Sequence, residues 1–183
     1  MALYHFSVRH VSRGKGQMVV ASAAYISGQR IYDGYYNKIH DYTSKSGVVF
    51  TEILTPEYVP ERMTDRETLW NEVEHVERNN KAQLAYSFDI ALQNELTLEE
   101  NIRLAKEFCQ EQFVVCGMIV DLAVHEGKSD NEEEPDNPHF HVLAPIRPFT
   151  EEGIWGNKQR REYILDEDGN RVKDAKGKDN LMI

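Results

Sequence analysis

Hydrophobic and polar positions alternate with a period of two in four places along the chain, the spacing at which neighbouring side chains point to opposite faces of a strand. In residues 3–8, Tyr4, Phe6 and Val8 stand against His5 and Ser7. In 86–92, Phe88, Ile90 and Leu92 stand against Ser87, Asp89 and Ala91. In 119–125, Val120, Leu122 and Val124 stand against Asp121, Ala123 and His125. In 139–144, Phe140, Val142 and Ala144 stand against His139, His141 and Leu143. Each segment predicts a strand with one wholly apolar face and a second face that holds His, Asp or Ser. Helical periodicity predicts a helix over 64–80, led by Thr64-x-x-Glu67, and another over 97–113, led by Thr97-x-x-Glu100. In such capping boxes the hydroxyl and the carboxylate each satisfy a backbone N–H at the helix start. A third helix is predicted over 17–31, where Ala21, Ala24 and Gly28 form a small-residue stripe with Tyr25 beside it. Asp168-Gly169 predicts a hairpin turn.

The order strand, helix, helix, strand, helix, strand, strand predicts an α+β fold. The expected architecture is a two-layer sandwich: a central antiparallel sheet carrying the His-x-His strand, with helices packed on its one apolar face and the polar face open to a ligand. At 183 residues the chain is expected to be a single domain, 1–183. The charged terminus "KDAKGKDNLMI" does not read as the closure of a core, so an N-terminal fragment of something longer is expected.

Composition narrows the class. With 40% apolar and 28% charged residues, the chain reads as a soluble globular protein, not a disordered one. No apolar run approaches the ~20 residues of a membrane helix, and the first residues lack a secretory core, so a cytoplasmic monomer with no membrane association is expected. Two cysteines, Cys109 and Cys116, provide neither a disulfide framework nor a thiolate zinc knuckle, and both are expected to be small core residues. A net charge of −10 speaks against a polyanion partner as a bulk property. The distribution differs: residues 1–50 carry six Lys/Arg against two Asp/Glu, and residues 51–150 carry eight against twenty-one. A basic amino-terminal segment beside an acidic body allows a polyanion on one face only.

Against that background the two imidazoles of "NPHFHVLA" change the picture. Residues i and i+2 of a strand point the same way, about 6–7 Å apart, so His139 and His141 can converge on one ion. An antiparallel partner brings His125 to the same face. A lone His-x-His is a weak signal, more often a pair of satisfied histidines than a metal site. Here it sits on the polar face of a greasy strand, with a third histidine on one neighbour and Asp89 on another. Three neutral imidazoles suit a first-row divalent ion and leave positions open for water or a phosphate oxygen. Asp89 is either a fourth ligand or a carboxylate that orients an imidazole. The acidic loop residues Glu132, Glu133, Glu134 and Asp136 are alternative oxygen ligands, more simply read as a solvated run. An ion so held can polarise a phosphoryl oxygen, and the nucleophile is then water or a tyrosine. Tyr25, on a helix of the most basic segment, is the leading tyrosine, with Tyr32, Tyr35 and Tyr36 behind it.

"AAYISGQRI", "AYSFDIALQNELT", "AVHEG" and "NPHFHVLAPIRP" together, in that order and spacing, resemble the MobA/MobL mobilisation relaxases, a branch of the His-hydrophobe-His (HUH) single-strand DNA endonucleases. The resemblance spans residues 2 to about 163. It implies the relaxase fold and nicking of one strand at a plasmid or integrative-element transfer origin. Tyr25 would attack the scissile phosphate to give a covalent 5′-phosphotyrosine and a free 3′-hydroxyl, a step that rejoining reverses. His125, His139 and His141 would hold a divalent ion, Mg²⁺ or Mn²⁺ first, with Zn²⁺, Ni²⁺ or Co²⁺ able to take its place in a crystal. Asp89 falls where the family has a strand carboxylate, often Glu, that orients a histidine or accepts the tyrosine proton. The resemblance also implies relaxosome accessory proteins and a type IV secretion coupling protein as partners, and passage into a recipient cell with the DNA. Relaxases place the tyrosine before the histidine pair; the one tyrosine after it, Tyr163, falls in the predicted hairpin. Candidate phosphate contacts are Arg9, Arg13, Lys15 and Arg30 around the tyrosine helix, and Arg147, Lys158, Arg160 and Arg161 after the histidine strand. Tyr32, Tyr36, Phe149 and Trp155 are candidate stacking faces. The other function classes are a water-using metal phosphodiesterase and a non-catalytic nucleic-acid-binding domain with a structural metal.

Overall fold

The computed structural model describes residues 5–127, 136–158, 163–173 and 177–178. Seven strands and three α-helices follow in the order β1 (Phe6–Ser12), α1 (Val19–Ser27), β2 (Arg30–Asp33), β3 (Lys38–Asp41), β4 (Val48–Leu54), α2 (Arg66–Val76), β5 (Gln83–Ala91), α3 (Leu98–Cys109), β6 (Val120–His125) and β7 (His139–Pro145). Five strands form one sheet in the order β1-β5-β7-β6-β4. All four pairings are antiparallel. β2 and β3 make a separate hairpin.

The α+β class and the antiparallel sheet with the His-x-His strand near its centre agree with the sequence reading; the layering differs. α3 packs on the face formed by Val120, Leu122, Val124, Phe140, Val142 and Ala144, as the apolar alternation requires. α1 and α2 cover much of the other face, where Val20, Ala23, Leu69 and Trp70 pack with Ala85, Ala123 and Leu143. Helices therefore lie on both faces instead of one. The cause is that the second face is only intermittently polar: Val11, Ala85, Ala123 and Leu143 interrupt it with surface that must be kept from water. What stays open is one end of that face.

Several element boundaries also differ. The helix expected over 17–31 stops at Gly28, which adopts φ 64° and receives a Cβ-free approach from Val48, so the chain turns at once into β2. Asp65, not Thr64, caps α2, its side chain accepting from the Thr68 N–H; Thr64 instead donates to the Glu61 carbonyl. The Thr97/Glu100 capping box of α3 forms as read, and the helix runs on into a π-turn over Gln110–Val114. The turn at Asp168-Gly169 forms, with Leu165 bridged to Arg171. Cys109 is buried as expected, whereas Cys116 is exposed. Among the described residues no helix is long and apolar enough to cross a membrane.

Candidate metal centre and cleft

Strand register assembles the site. Asp89 of β5 lies opposite His141 of β7, which lies opposite Ala123 of β6; one row further, Ala91, His139 and His125 are aligned. The three imidazoles crowd together, with ring centroids 4.7–5.2 Å apart, and one ligand nitrogen of each lies within 4.8 Å of the others. Among the described residues this is the group able to share one ion.

Backbone carbonyls set which nitrogens remain for a metal. His125 Nε2 lies 2.7 Å from the Ile26 carbonyl in the last turn of α1. A carbonyl only accepts, so Nε2 carries the proton and Nδ1 offers its lone pair. His139 Nδ1 lies 2.7 Å from the Asn137 carbonyl, which leaves its Nε2 as the free donor atom. Such outer hydrogen bonds hold ring and tautomer in place before an ion arrives. Gly127 contributes at one remove: at φ 59° a Cβ there would stand 1.9 Å from the Asn137 carbonyl oxygen. Only glycine lets the two stretches close, and the Asn137 N–H donates to the Gly127 carbonyl.

Burial holds the His125 and His141 imidazoles neutral, pulling both down to about 4, with the neighbouring histidines adding to the shift. Two rings already without a proton near neutral pH fit a divalent cation. Asp89 stands outside the group of ligand atoms, yet lines the same cleft and acts electrostatically on both His125 and His141.

The cleft measures about 860 Å³, and the three histidines, Asp89, Arg9 and Tyr25 line it. Tyr25 is half exposed on α1 and packs edge-on against Tyr42. Sequence reading missed Lys45, which lines the cleft, donates to the Tyr25 carbonyl at 3.0 Å and sets its ammonium 3.8 Å from the centroid of the Tyr25 ring. It sits in the loop "YTSKSG" between β3 and β4, where no periodicity marks it. That loop is tied to the end of β6 by the Glu126 N–H, which donates to the Gly47 carbonyl.

The candidate DNA contacts divide sharply. Arg9 opens into the cleft, and Lys15 and Arg30 are exposed, Arg30 lying 3.8 Å from Asp41. Arg13 is buried instead: it donates to the Glu74, Glu77 and Asn79 carbonyls and to the Glu74 carboxylate, and it lies over the Tyr35 ring. Arg147 and Lys158 both bind the Glu77 carboxylate, at 3.0 and 2.9 Å. These three cations are structural clamps, because their donors already meet carboxylates and carbonyls within the fold. Arg160 and Arg161 lie outside the described residues, as do Tyr4, Glu132, Glu133 and Glu134. Of the stacking candidates, Tyr32 and Tyr36 are exposed on the β2–β3 hairpin, whereas Phe149 is buried against Trp155. α3, with its acidic outer side, does lie across the sheet from the cleft; α2 shares the cleft's face but packs at the opposite end, over Asp121.

The profile of the MobA/MobL family matches residues 17–182. The chain is 36% identical over 97% of its length to conjugal transfer protein TraA of Agrobacterium fabrum, covering 16% of that protein. It is 34% identical over 94% of its length to a probable mobilization protein MobA of Bifidobacterium longum, covering 30% of it, and 32% identical over 85% to mobilization protein MobL of Acidithiobacillus ferridurans, covering 41%. A solved structure, "Molecular Basis of Vancomycin Resistance Transfer in Staphylococcus aureus", superposes with a TM-score of 0.78 at 38% identity, over 87% of this chain and 78% of that one. The chain thus spans less than half the length of these curated relatives, and by the extent of the match it belongs to the MobA/MobL family.

Proposed function

We propose that this chain is the nicking module of a mobilisation relaxase, acting on single-stranded DNA at a transfer origin through Tyr25. The observation that carries the reading is the convergence of three imidazoles on one ion-sized space in the same cleft as an exposed tyrosine. Relatives named for conjugal transfer and mobilisation support it. In them the matching stretch is a minor part of a longer chain, and the activity proposed is that of the stretch alone.

His125 through Nδ1, His139 through Nε2, and His141 would hold a divalent cation, Mg²⁺ or Mn²⁺ by preference. When bound, the ion supplies Lewis-acid polarisation of a phosphoryl oxygen. The chain's own residues do the rest. The α1 backbone carries Tyr25 into the cleft mouth, and Arg9 offers a guanidinium to the DNA backbone. The Tyr25 hydroxyl oxygen attacks phosphorus; the new O–P bond forms as the P–O3′ bond breaks. Asp89 takes the phenol proton, and the departing 3′-oxygen takes one from water. One phosphodiester replaces another, so rejoining is the same step reversed. Accessory proteins of a relaxosome and a secretion coupling protein are the partners this role entails, and the bacterial cytoplasm, followed by passage with the DNA, is its setting.

The test is covalent capture. Incubated with random-sequence single-stranded DNA and Mn²⁺, the protein is expected to form an adduct that survives denaturation, with Tyr25 as the modified residue. Tyr25→Phe should abolish it with metal binding intact. Cleavage without an adduct, unchanged in Tyr25→Phe, would replace this reading with a water-using phosphodiesterase. Metal binding without any cleavage would replace it with a non-catalytic binding domain.

A further inference from the structure

Lys45 is a half-buried ammonium that has no anionic partner among the described residues. Among the described residues it makes one hydrogen bond, to the Tyr25 carbonyl, and faces the Tyr25 ring. No carboxylate of the described residues comes within ion-pair distance of it, and burial alone pulls its pKa down. Other cations partly buried on this side of the sheet are matched: Arg13 by Glu74, Arg66 by Asp121, Arg147 and Lys158 by Glu77. Withdrawing an ammonium from water without an anion is costly, and a flexible lysine stem can normally carry its head back to solvent. Lys45 instead lies along the nucleophile's ring, inside the cleft that holds the histidines.

We propose that Lys45 is a further functional residue of this site, one that fixes the Tyr25 ring from its face and directs its two remaining N–H donors to the phosphodiester presented for attack. The proposal rests on the relaxase reading for the identity of that anion. Three features support it. The ammonium touches the nucleophile's own residue twice, at its carbonyl and its ring. It shares a cleft with the metal group, so an oxygen of a phosphodiester placed between Tyr25 and the histidines lies within reach of a lysine head. The anion that the described residues do not supply is of the charge that a DNA strand brings. Lys45 exchanges no proton in the step; it stays an ammonium while the phosphorus passes from O3′ to the tyrosine oxygen.

The experiment compares the full chain with Lys45→Met, Lys45→Arg and, as a remote control on the outer side of α3, Arg103→Met. Adduct formation on random-sequence single-stranded DNA is followed under single-turnover conditions with DNA in excess. Lys45→Met is expected to slow the adduct-forming step about tenfold to a hundredfold, with DNA half-saturation changed by less than about threefold. Lys45→Arg, which keeps a stacking cation, should recover most of the rate. A second readout does not need turnover: the ε-methylene protons of Lys45 should be shifted upfield by the ring current of Tyr25, the shift should vanish in Tyr25→Leu, and added DNA should move the signal again. A wild-type rate in Lys45→Met, or an unshifted ε-methylene signal, overturns the proposal. If wild type forms no adduct at all, the relaxase reading fails on its own. In that case a Lys45 signal that responds to DNA upholds the phosphodiester contact, and one that does not respond overturns it.

Discussion

Asp121 and His125 stand on the same face of β6, four residues apart, and they are polar for opposite reasons. Asp121 lies under α2, wholly buried, and accepts from Arg66 Nε at 2.9 Å, Arg66 Nη2 at 2.8 Å and Trp70 Nε1 at 2.8 Å. Arg66 in turn reaches Gln29. The carboxylate there has its partners within the fold, so nothing is left over for a ligand. At His125 one nitrogen is tied to Ile26 and the other faces a cleft shared with two more imidazoles. A polar residue on the inner face of a strand is therefore not a mark of function by itself. What separates the two ends is whether the described residues supply a complete set of partners. The cations divide in the same way: Arg13 meets a carboxylate and three carbonyls, and Lys45 meets one carbonyl and a ring.

Removing a side chain from each end should break the two ends differently. His141→Ala takes away one of the three candidate ligands. It is expected to lower the adduct-forming rate by about a thousandfold, several kcal/mol of transition-state stabilisation, and to weaken Mn²⁺ binding by titration calorimetry while leaving the unfolding midpoint nearly in place. Asp121→Ala should do the reverse. Stranding a buried guanidinium costs about 3–5 kcal/mol, read as a lowered urea midpoint, with the rate per folded molecule within about threefold of wild type. Equal losses of rate in both variants would erase the distinction between the ends.

The parts of this arrangement that are legible in the sequence are those that repeat. Alternation over 119–125 and 139–144 marks two strands and sets each histidine opposite its strand's apolar face, so that an antiparallel pairing of the two brings His125, His139 and His141 together. The Thr97 and Glu100 pair marks the start of α3, because a capping box is local chemistry. The parts that are not legible are long-range. Asp121 has the same alternation as His125, and only the arrival of Arg66 and Trp70 from α2 makes it structural. Arg13 reads as a surface cation until Glu74 and the end of α2 close round it. β4 lacks clean alternation, since its residues are mostly half-buried, and Lys45 sits in a loop with no period at all. The short β2–β3 hairpin is hidden because the helical pattern before it runs on past Gly28, whose left-handed backbone is a single-residue signal.

Acid should sharpen the contrast. His125 and His141 titrate near 4 in the folded chain and near the ordinary 6.5 once unfolded. Between those values the unfolded chain takes up protons that the folded chain refuses, so stability present above pH 6.5 is lost as pH falls toward 4 and then levels off. In metal-free protein, urea midpoints followed from pH 7 to pH 4 are expected to fall further for wild type than for a His125→Gln, His141→Gln double variant. Parallel curves would mean that burial at the open end does not hold these rings neutral.

The smallest effect belongs to the far side of the sheet. α3 packs on the wholly apolar face, where Ala105 and Cys109 meet Val120, Leu122 and Phe140, and no side chain of that helix lines the cleft. Its start depends on Thr97, which accepts from the Glu100 N–H, while the Glu100 carboxylate accepts from the Thr97 N–H. Thr97→Ala removes the hydroxyl and leaves the Glu100 amide to water, a loss of about 1 kcal/mol. Thr97→Ser keeps the oxygen and should recover nearly all of it. Because the sheet stands between α3 and the imidazoles, neither variant is expected to change the adduct-forming rate of the folded protein. A slowed rate in Thr97→Ala but not in Thr97→Ser would mean that the helix start transmits to the three histidines through β6, and that the two faces of the sheet are less independent than their side chains imply.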